Sequence, residues 1–145
     1  MRTLTSIKNT MQDLYINHWA VLVAALLNLV VGAVWYSPAL FYDAWKKENG
    51  LTDEKLKAIN PARLYSVSTL ISVVICYNMA AFLGDANTDW VWGASAGFLA
   101  GFGWSALIFA IIAMYEMKSW KYILINAGYI TVYFTLVGLI LGLWR

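Results

Sequence analysis

The chain reads as an all-α integral membrane protein: a four-transmembrane-helix bundle with an interfacial helical loop between spans one and two. Three observations carry that reading. Residues 14–42, 64–84, 90–115 and 122–144 each lack Asp, Glu, Lys and Arg, and each run exceeds the ~18 residues that mark a spanning segment. Apolar residues make up 61% of the 145 and charged ones 12%, against roughly 45–50% and about 25% in a soluble domain. Too few polar side chains remain to cover a water-soluble globule. The first run also carries Trp19 and Tyr36 at its two ends, where an aromatic belt meets the membrane surface. A single domain over 1–145 is expected, with spans at about 18–37, 61–84, 89–116 and 120–144 and the loop at 38–60.

In chain order, Leu4, Ile7, Met11 and Leu14 recur at helical spacing opposite Asn9, Gln12 and Asp13. That pattern suits either a short helix lying in the interface or a loosely ordered leader. The first apolar run is too long for the core of a cleavable signal peptide and follows a polar leader. In span one, Ala20, Ala24, Asn28 and Gly32 fall at four-residue intervals and make a narrow groove. Gly32 stands three residues before Trp35-Tyr36, and the Ser37-Pro38 step then bends or ends the helix, because Pro38 has no N–H.

The loop carries Phe41 and Trp45 on one side of a short helix that ends at Asn49-Gly50. Thr52 is placed to cap a second one, whose first turn holds Asp53 and Glu54. Asn60-Pro61 reads as N-cap and first position of span two. That span repeats the four-residue step at Ser68, Ser72, Cys76, Ala80 and Gly84. A tight turn follows at 85–87, with Thr88 expected as the next cap.

Span three carries Gly93, Gly97, Gly101 and Ser105, a glycine zipper. Span four offers Ala127, Thr131 and Thr135, then Gly138 and Gly142. Small residues at this interval let helix backbones approach closely. The two short turns make spans two and three, and three and four, antiparallel neighbours. The span-three zipper is expected to pack against span two. Gly138 and Gly142 are then left as an external seam for a homo-oligomer, a two-fold dimer first and a trimer second. Gly32-x-x-Trp35 and Gly101-x-x-Trp104 also echo each other, as parallel repeats would.

Seven cations (Lys46, Lys47, Lys55, Lys57, Arg63, Lys118, Lys121) share one side with loops one and three. Only Arg2, Lys8 and Arg145 share the other. Retention of positive charge in the cytoplasm puts both termini outside.

The net charge of +2, without a basic aromatic run, gives no basis for nucleic-acid binding. Cys76 is the single cysteine, so no internal disulfide forms. His18 is the sole histidine; it lies at an outer span end beside Trp19, where a snorkelling role explains it better than a catalytic relay. No clustered ligands suggest a metal, and no phosphate loop or other motif suggests a cofactor. The charge-free interiors of the spans hold no carboxylate, Lys or Arg, and Asp43 and Glu116 stand at the expected interfaces, which argues against proton-coupled transport. No catalytic residue is assigned. The polar and aromatic residues Asn28, Trp35, Tyr36, Glu116, Asn126 and Tyr129 form the candidate ligand-binding set. The competing reading of the same residues is interhelical hydrogen bonding. Gly32, Ser72, Gly93, Gly97, Gly101, Gly138 and Gly142 are the candidate helix-packing positions.

Asn28, Gly32-Ala-Val-Trp-Tyr-Ser-Pro38, Leu40-Phe41 and Trp45-Lys46 together resemble a bacterial membrane family known as domain of unknown function 1761. The glycine-rich third span, Ile125-Asn-Ala-Gly-Tyr129 and Gly142-Leu-Trp144 resemble its second half. The resemblance implies a small four-span protein of a bacterial inner membrane and carries no reaction or ligand with it. The function read from the chain is to bind or pass a lipid-like or small neutral ligand without catalysis, with membrane lipids as its surroundings. A lipid-modifying membrane enzyme and a structural or partner subunit are the alternatives.

Overall fold

The computed structural model describes residues 14–145, and the leader pattern through Leu4, Ile7 and Met11 lies outside them. Among the described residues every regular element is helical: α1 His18–Trp35, α2 Tyr42–Glu48, α3 Asp53–Lys57, α4 Pro61–Phe82, α5 Trp90–Tyr115 and α6 Trp120–Leu143. Helices α1, α4, α5 and α6 are long and apolar enough to cross a membrane.

Local chemistry sets their ends. Asn17 Oδ1 accepts from the Trp19 and Ala20 amides at 3.0 and 3.2 Å, opening α1. At the other end the Tyr36 N–H still reaches Gly32 O at 3.0 Å, and the Ser37 N–H turns to Val34 O at 3.2 Å. Ser37-Pro38 therefore ends the helix rather than bending it. Asn60 and Thr52 cap α4 and α3 through the Arg63 and Lys55 amides. The cap of α5 is Asp89, whose carboxylate accepts from the Trp92 amide at 2.8 Å. Thr88, the residue expected there, is buried, and its hydroxyl has no partner among the described residues. A charged oxygen is the stronger acceptor at a helix N-terminus.

Helix α6 is the hub: α5 lies along it on one side, and α1 packs on it and on α4. Ala20, Val21, Ala24 and Ala25 of α1 meet Cys76, Met79 and Ala80 of α4 and Tyr133, Val137 and Leu141 of α6 in one buried core. Although α4 and α5 are joined by a short turn, they do not pack together along their length.

Here the expected pairing of seams is corrected. Gly93, Gly97 and Gly101 face α6, not α4, and Gly138 and Gly142 face α5, not a second subunit. A Cβ on Gly93 would lie 3.1 Å from Gly142 Cα, and one on Gly97 would lie 3.0 Å from Thr135 Cα. One on Gly138 would lie 3.0 Å from Gly97 Cα, and one on Gly142 would lie 2.9 Å from Trp90 Cα. Carbon atoms prefer ~3.5–4.0 Å, so only glycine admits this approach. The two glycine sets occupy mirror positions about the 116–119 turn and meet when the antiparallel helices close. The Gly32/Gly101 echo is not structural either. Trp35 ends α1 against α6, whereas Trp104 is 70% exposed in mid-helix.

Residues Leu99–Ala106 of α5 are π-helical. Ser105 Oγ donates to Ala100 O, five residues back, at 3.0 Å.

Candidate functional site

Five of the six candidate residues meet along the α1–α6 seam. The Trp35 indole N–H donates to Ile125 O at 3.0 Å. Its ring covers Gly128, where a Cβ would stand 2.9 Å from Cζ2. One residue on, the Tyr36 hydroxyl donates to Asn126 Oδ1 at 2.8 Å, while Asn126 Nδ2 donates to Tyr122 O at 2.9 Å. The Tyr129 hydroxyl donates to Asn28 Oδ1 and lies across from Gly32, 3.9 Å from where a Cβ would be. Tyr36 and Tyr129 are stepped neighbours, with ring centroids 5.5 Å apart. The loop closes this end, Phe41 packing on Trp35 and Trp45 on Tyr36 at centroid separations of 4.9 and 5.4 Å.

One turn deeper, the ladder continues through residues that sequence reasoning either missed or cast differently. Tyr133 stacks on Tyr129 and hydrogen-bonds to Ser72 Oγ, and Ser72 donates on to Ala25 O at 3.0 Å. The Cys76 sulfur lies 3.5 Å from the Tyr133 hydroxyl. Ser72, assigned as a packing residue, is thus a hydrogen-bond junction of α1, α4 and α6. Tyr133 follows Tyr129 by four residues on the same helix face, the signal by which it was legible. Every side chain in this ladder is uncharged. The arrangement ties α1, α4 and α6 together.

Glu116 stands apart. It is exposed at the end of α5, which packs on α6 rather than on α1, so its depth matches the cluster while its direction does not. The acid that does reach this end of α6 is Glu48, whose carboxylate accepts from the Ser119 hydroxyl, the α6 N-cap. It lies one turn beyond Trp45 on α2. Nearby, Lys46 pairs with Asp53, and that hydrogen bond raises the Lys46 pKa above its ordinary value. At the opposite end of the bundle His18 Nδ1 lies 3.0 Å from the Tyr77 hydroxyl.

Hydrogen bonds and rings fill the loop end of the α1–α6 seam, and the open space lies beside and beyond it. The divergence of α4 from α5 leaves a cleft of about 410 Å³ lined by Val74, Asn78 and Phe82 on one wall and Trp92, Leu99 and Trp104 on the other. Beside it, an open-sided chamber of about 230 Å³ is lined by Asn28, Ser68, Ser72, Tyr129 and Tyr133. Ile75 and Phe134 border both spaces. Of the candidate set, Asn28 and Tyr129 therefore face a cavity, whereas Trp35, Tyr36 and Asn126 lie in the packed seam.

No curated protein and no solved structure matches the chain. The family model described as "Protein of unknown function (DUF1761)" matches residues 19–142. That span runs from the first turn of α1 to the last of α6 and takes in the Trp35–Pro38 junction, the α5 glycines and the α6 ladder, and the chain belongs to the DUF1761 family.

Proposed function

We propose that the chain is a multi-pass protein of a bacterial inner membrane that holds a lipid-like, uncharged ligand in the α4/α5 cleft without catalysis. Membrane insertion is supported by the long helices' outward faces. Only 22–28% of each apolar window is buried within the chain, and residues such as Leu26, Val30, Leu70, Ile108 and Leu124 point outward. The excess of Lys and Arg on the α2–α3 side supports a cytoplasmic position for that side, with both termini outside.

The observation that carries the ligand is the cleft itself. Two sequence neighbours diverge and leave an apolar furrow open toward the surrounding bilayer. Lipid tails gain no hydrophobic advantage over side chains there, so such a furrow persists where something of lipid character fills it. The test is lipid extraction and mass spectrometry of the protein purified in mild detergent. A lipid retained by the wild type and lost from the double variant Val74→Phe/Leu99→Phe, which fills the cleft from two exposed positions, supports the reading. Equal lipid content in the two proteins counts against it.

A second reading, the subunit role, rests on Gly103. A Cβ there would meet nothing within 4 Å, unlike every other α5 glycine. With Gly138 and Gly142 consumed inside the chain, Gly103 is the point through which a homo-oligomer, dimer or trimer, would form. Light scattering that finds the same mass for wild type and Gly103→Leu would remove it.

A further inference from the structure

We infer that the chamber beside the cleft recognises a neutral amphiphile by one uncharged, hydrogen-bond-accepting oxygen, with Asn28 Nδ2 as the donor. The inference rests on the cleft reading above and goes beyond it by naming the ligand's chemistry.

The hydrogen-bond inventory of the chamber singles out this atom. Ser72 and Tyr133 satisfy each other and Ala25 O. Ser68 donates back to Tyr65 O at 3.1 Å. Tyr129 donates to Asn28 Oδ1, which leaves the other half of that amide, Nδ2, without a protein acceptor among the described residues. The only sealed, partnerless polar side-chain atom among them is Thr88 Oγ1, so Nδ2 is reachable, and Asn28 lines the chamber. An amide N–H in an apolar recess asks for an acceptor.

The lining also sets the acceptor's charge. Neither the chamber nor the cleft is lined by Lys, Arg, Asp or Glu, so an ionised group there would stay unpaired or change its protonation. Depth excludes an ordinary phospholipid. Asn28 lies seven residues from Trp35, and Ser68 seven from Pro61, ~10 Å along each helix from its loop end. A phospholipid whose phosphate remains at the surface cannot bring its ester carbonyl that far inward. From Ser68 to Phe82 the two spaces, which adjoin at Ile75 and Phe134, together extend ~21 Å along α4, longer than the ~15 Å of one leaflet's hydrocarbon. A long apolar body with its oxygen at the buried end fits this shape; fatty esters and lipid ketones have that form.

The test uses three brominated probes of one chain length: the methyl ester of dibromostearic acid, the matching dibromoalkane, and the ionised acid. Binding to the full chain in mild detergent is read by quenching of Trp92 and Trp104, which line the cleft, as the component lost in Val74→Phe/Leu99→Phe. The ester should bind wild type about two- to tenfold more tightly than the alkane, the worth of one net hydrogen bond. It should also bind more tightly than the acid, and Asn28→Leu should bring ester and alkane level. If wild type binds ester and alkane alike, and the filled variant loses both, the oxygen recognition is refuted while the cleft reading stands. Acid binding as tightly as ester refutes the neutral-ligand assignment. Quenching that the filled variant does not reduce for any probe overturns the cleft reading and this inference together. Should Asn28→Leu fail to fold, the wild-type ester-to-alkane ratio decides alone.

Discussion

Replacing Gly138 by alanine adds one methyl group at the tightest crossing in the molecule. The new Cβ would stand 2.9 Å from the Gly93 carbonyl carbon and 3.0 Å from Gly97 Cα, with the Gly93 carbonyl oxygen closer still. These are backbone atoms on a rigid helix and cannot swing aside as a flexible side chain would. Restoring ~3.5–4.0 Å carbon contacts requires α5 and α6 to part by at least about half an ångström to one ångström, and relieving the closer carbonyl oxygen requires more. A gap of that size forfeits a quarter to a half of the contact energy along the seam. With overpacking generally costing ~1–3 kcal/mol, Gly138→Ala should lose about 2–3 kcal/mol. Gly103 supplies the control within the same helix pair, because a Cβ there meets nothing within 4 Å. Gly103→Ala should be neutral or gain up to ~1 kcal/mol from helix propensity.

The assay is reversible unfolding in mixed micelles with a denaturing detergent, followed by far-ultraviolet circular dichroism, with fewer than one chain per micelle so that subunit contacts do not contribute. A Gly138→Ala protein no less stable than Gly103→Ala refutes the seam. The same measurement distinguishes internal from external packing. If Gly138 and Gly142 formed a subunit contact, their double leucine variant would be a stable monomer; packed on α5, it should fail to fold.

Tyr133→Phe removes the hydroxyl that bonds to Ser72 and should cost ~0.6–2 kcal/mol; a double-mutant cycle with Ser72→Ala should show coupling of that order, and simple additivity would show that the two do not interact. Gly128→Ala should displace the Trp35 ring, raising its fluorescence emission wavelength and destabilising the protein by ~1–3 kcal/mol, whereas an unchanged spectrum contradicts the placement of that ring. The Glu54 carboxyl is held below its ordinary value, first by its own backbone N–H and then by the Thr52 hydroxyl. Its contribution to α3 is complete above the unfolded-chain pKa and disappears as pH falls through the lowered folded value. The Lys55 amide signal should therefore titrate below the ordinary glutamate midpoint, and Thr52→Ala should shift that midpoint upward. For orientation, a cysteine at Asn87 in the α4–α5 turn should react with an impermeant thiol reagent in intact cells and one at Lys47 should not; the native Cys76 is buried and adds little background.

The helices themselves were legible because their signal is local. Charge-free runs located α1, α4, α5 and α6, and the Thr52 and Asn60-Pro61 caps fixed α3 and the start of α4. Which helix mates with which is non-local. All four long helices carry small residues at the same four-residue step, so periodicity identifies a packing face without naming its partner. The α1–α6 ladder could be partly anticipated from depth, since Tyr36 and Asn126 lie at similar distances from the loop end. Depth alone also admitted Glu116, because it says nothing about direction around the bundle. The mirror placement of the α5 and α6 glycines about their turn was in the sequence and resolves the pairing. Asn28 stood in the candidate set, but the chamber it lines could not be located without the helix positions.

The cleft follows from that pairing. Once the glycine face of α5 is committed to α6, the face turned toward α4 carries Trp92, Leu99 and Trp104. Side chains of that size prevent two backbones from approaching as the glycines allow on the other side. Helix α4 in turn commits its own small face, Ser72, Cys76 and Ala80, to the core it shares with α1 and α6. Both helices adjoining the short 83–89 connection have therefore given their close-packing faces to other partners. The connection keeps their ends together, their bulky faces keep their lengths apart, and the resulting furrow adjoins the chamber of Asn28 at Ile75 and Phe134. Shrinking that wall should close it: with Trp104→Ala and Leu99→Ala together, α4 can settle toward α5, and bound lipid should be lost even though the side-chain volume lining the cleft has fallen. More lipid bound by that variant than by wild type would mean that the large side chains fill the cleft rather than hold it open.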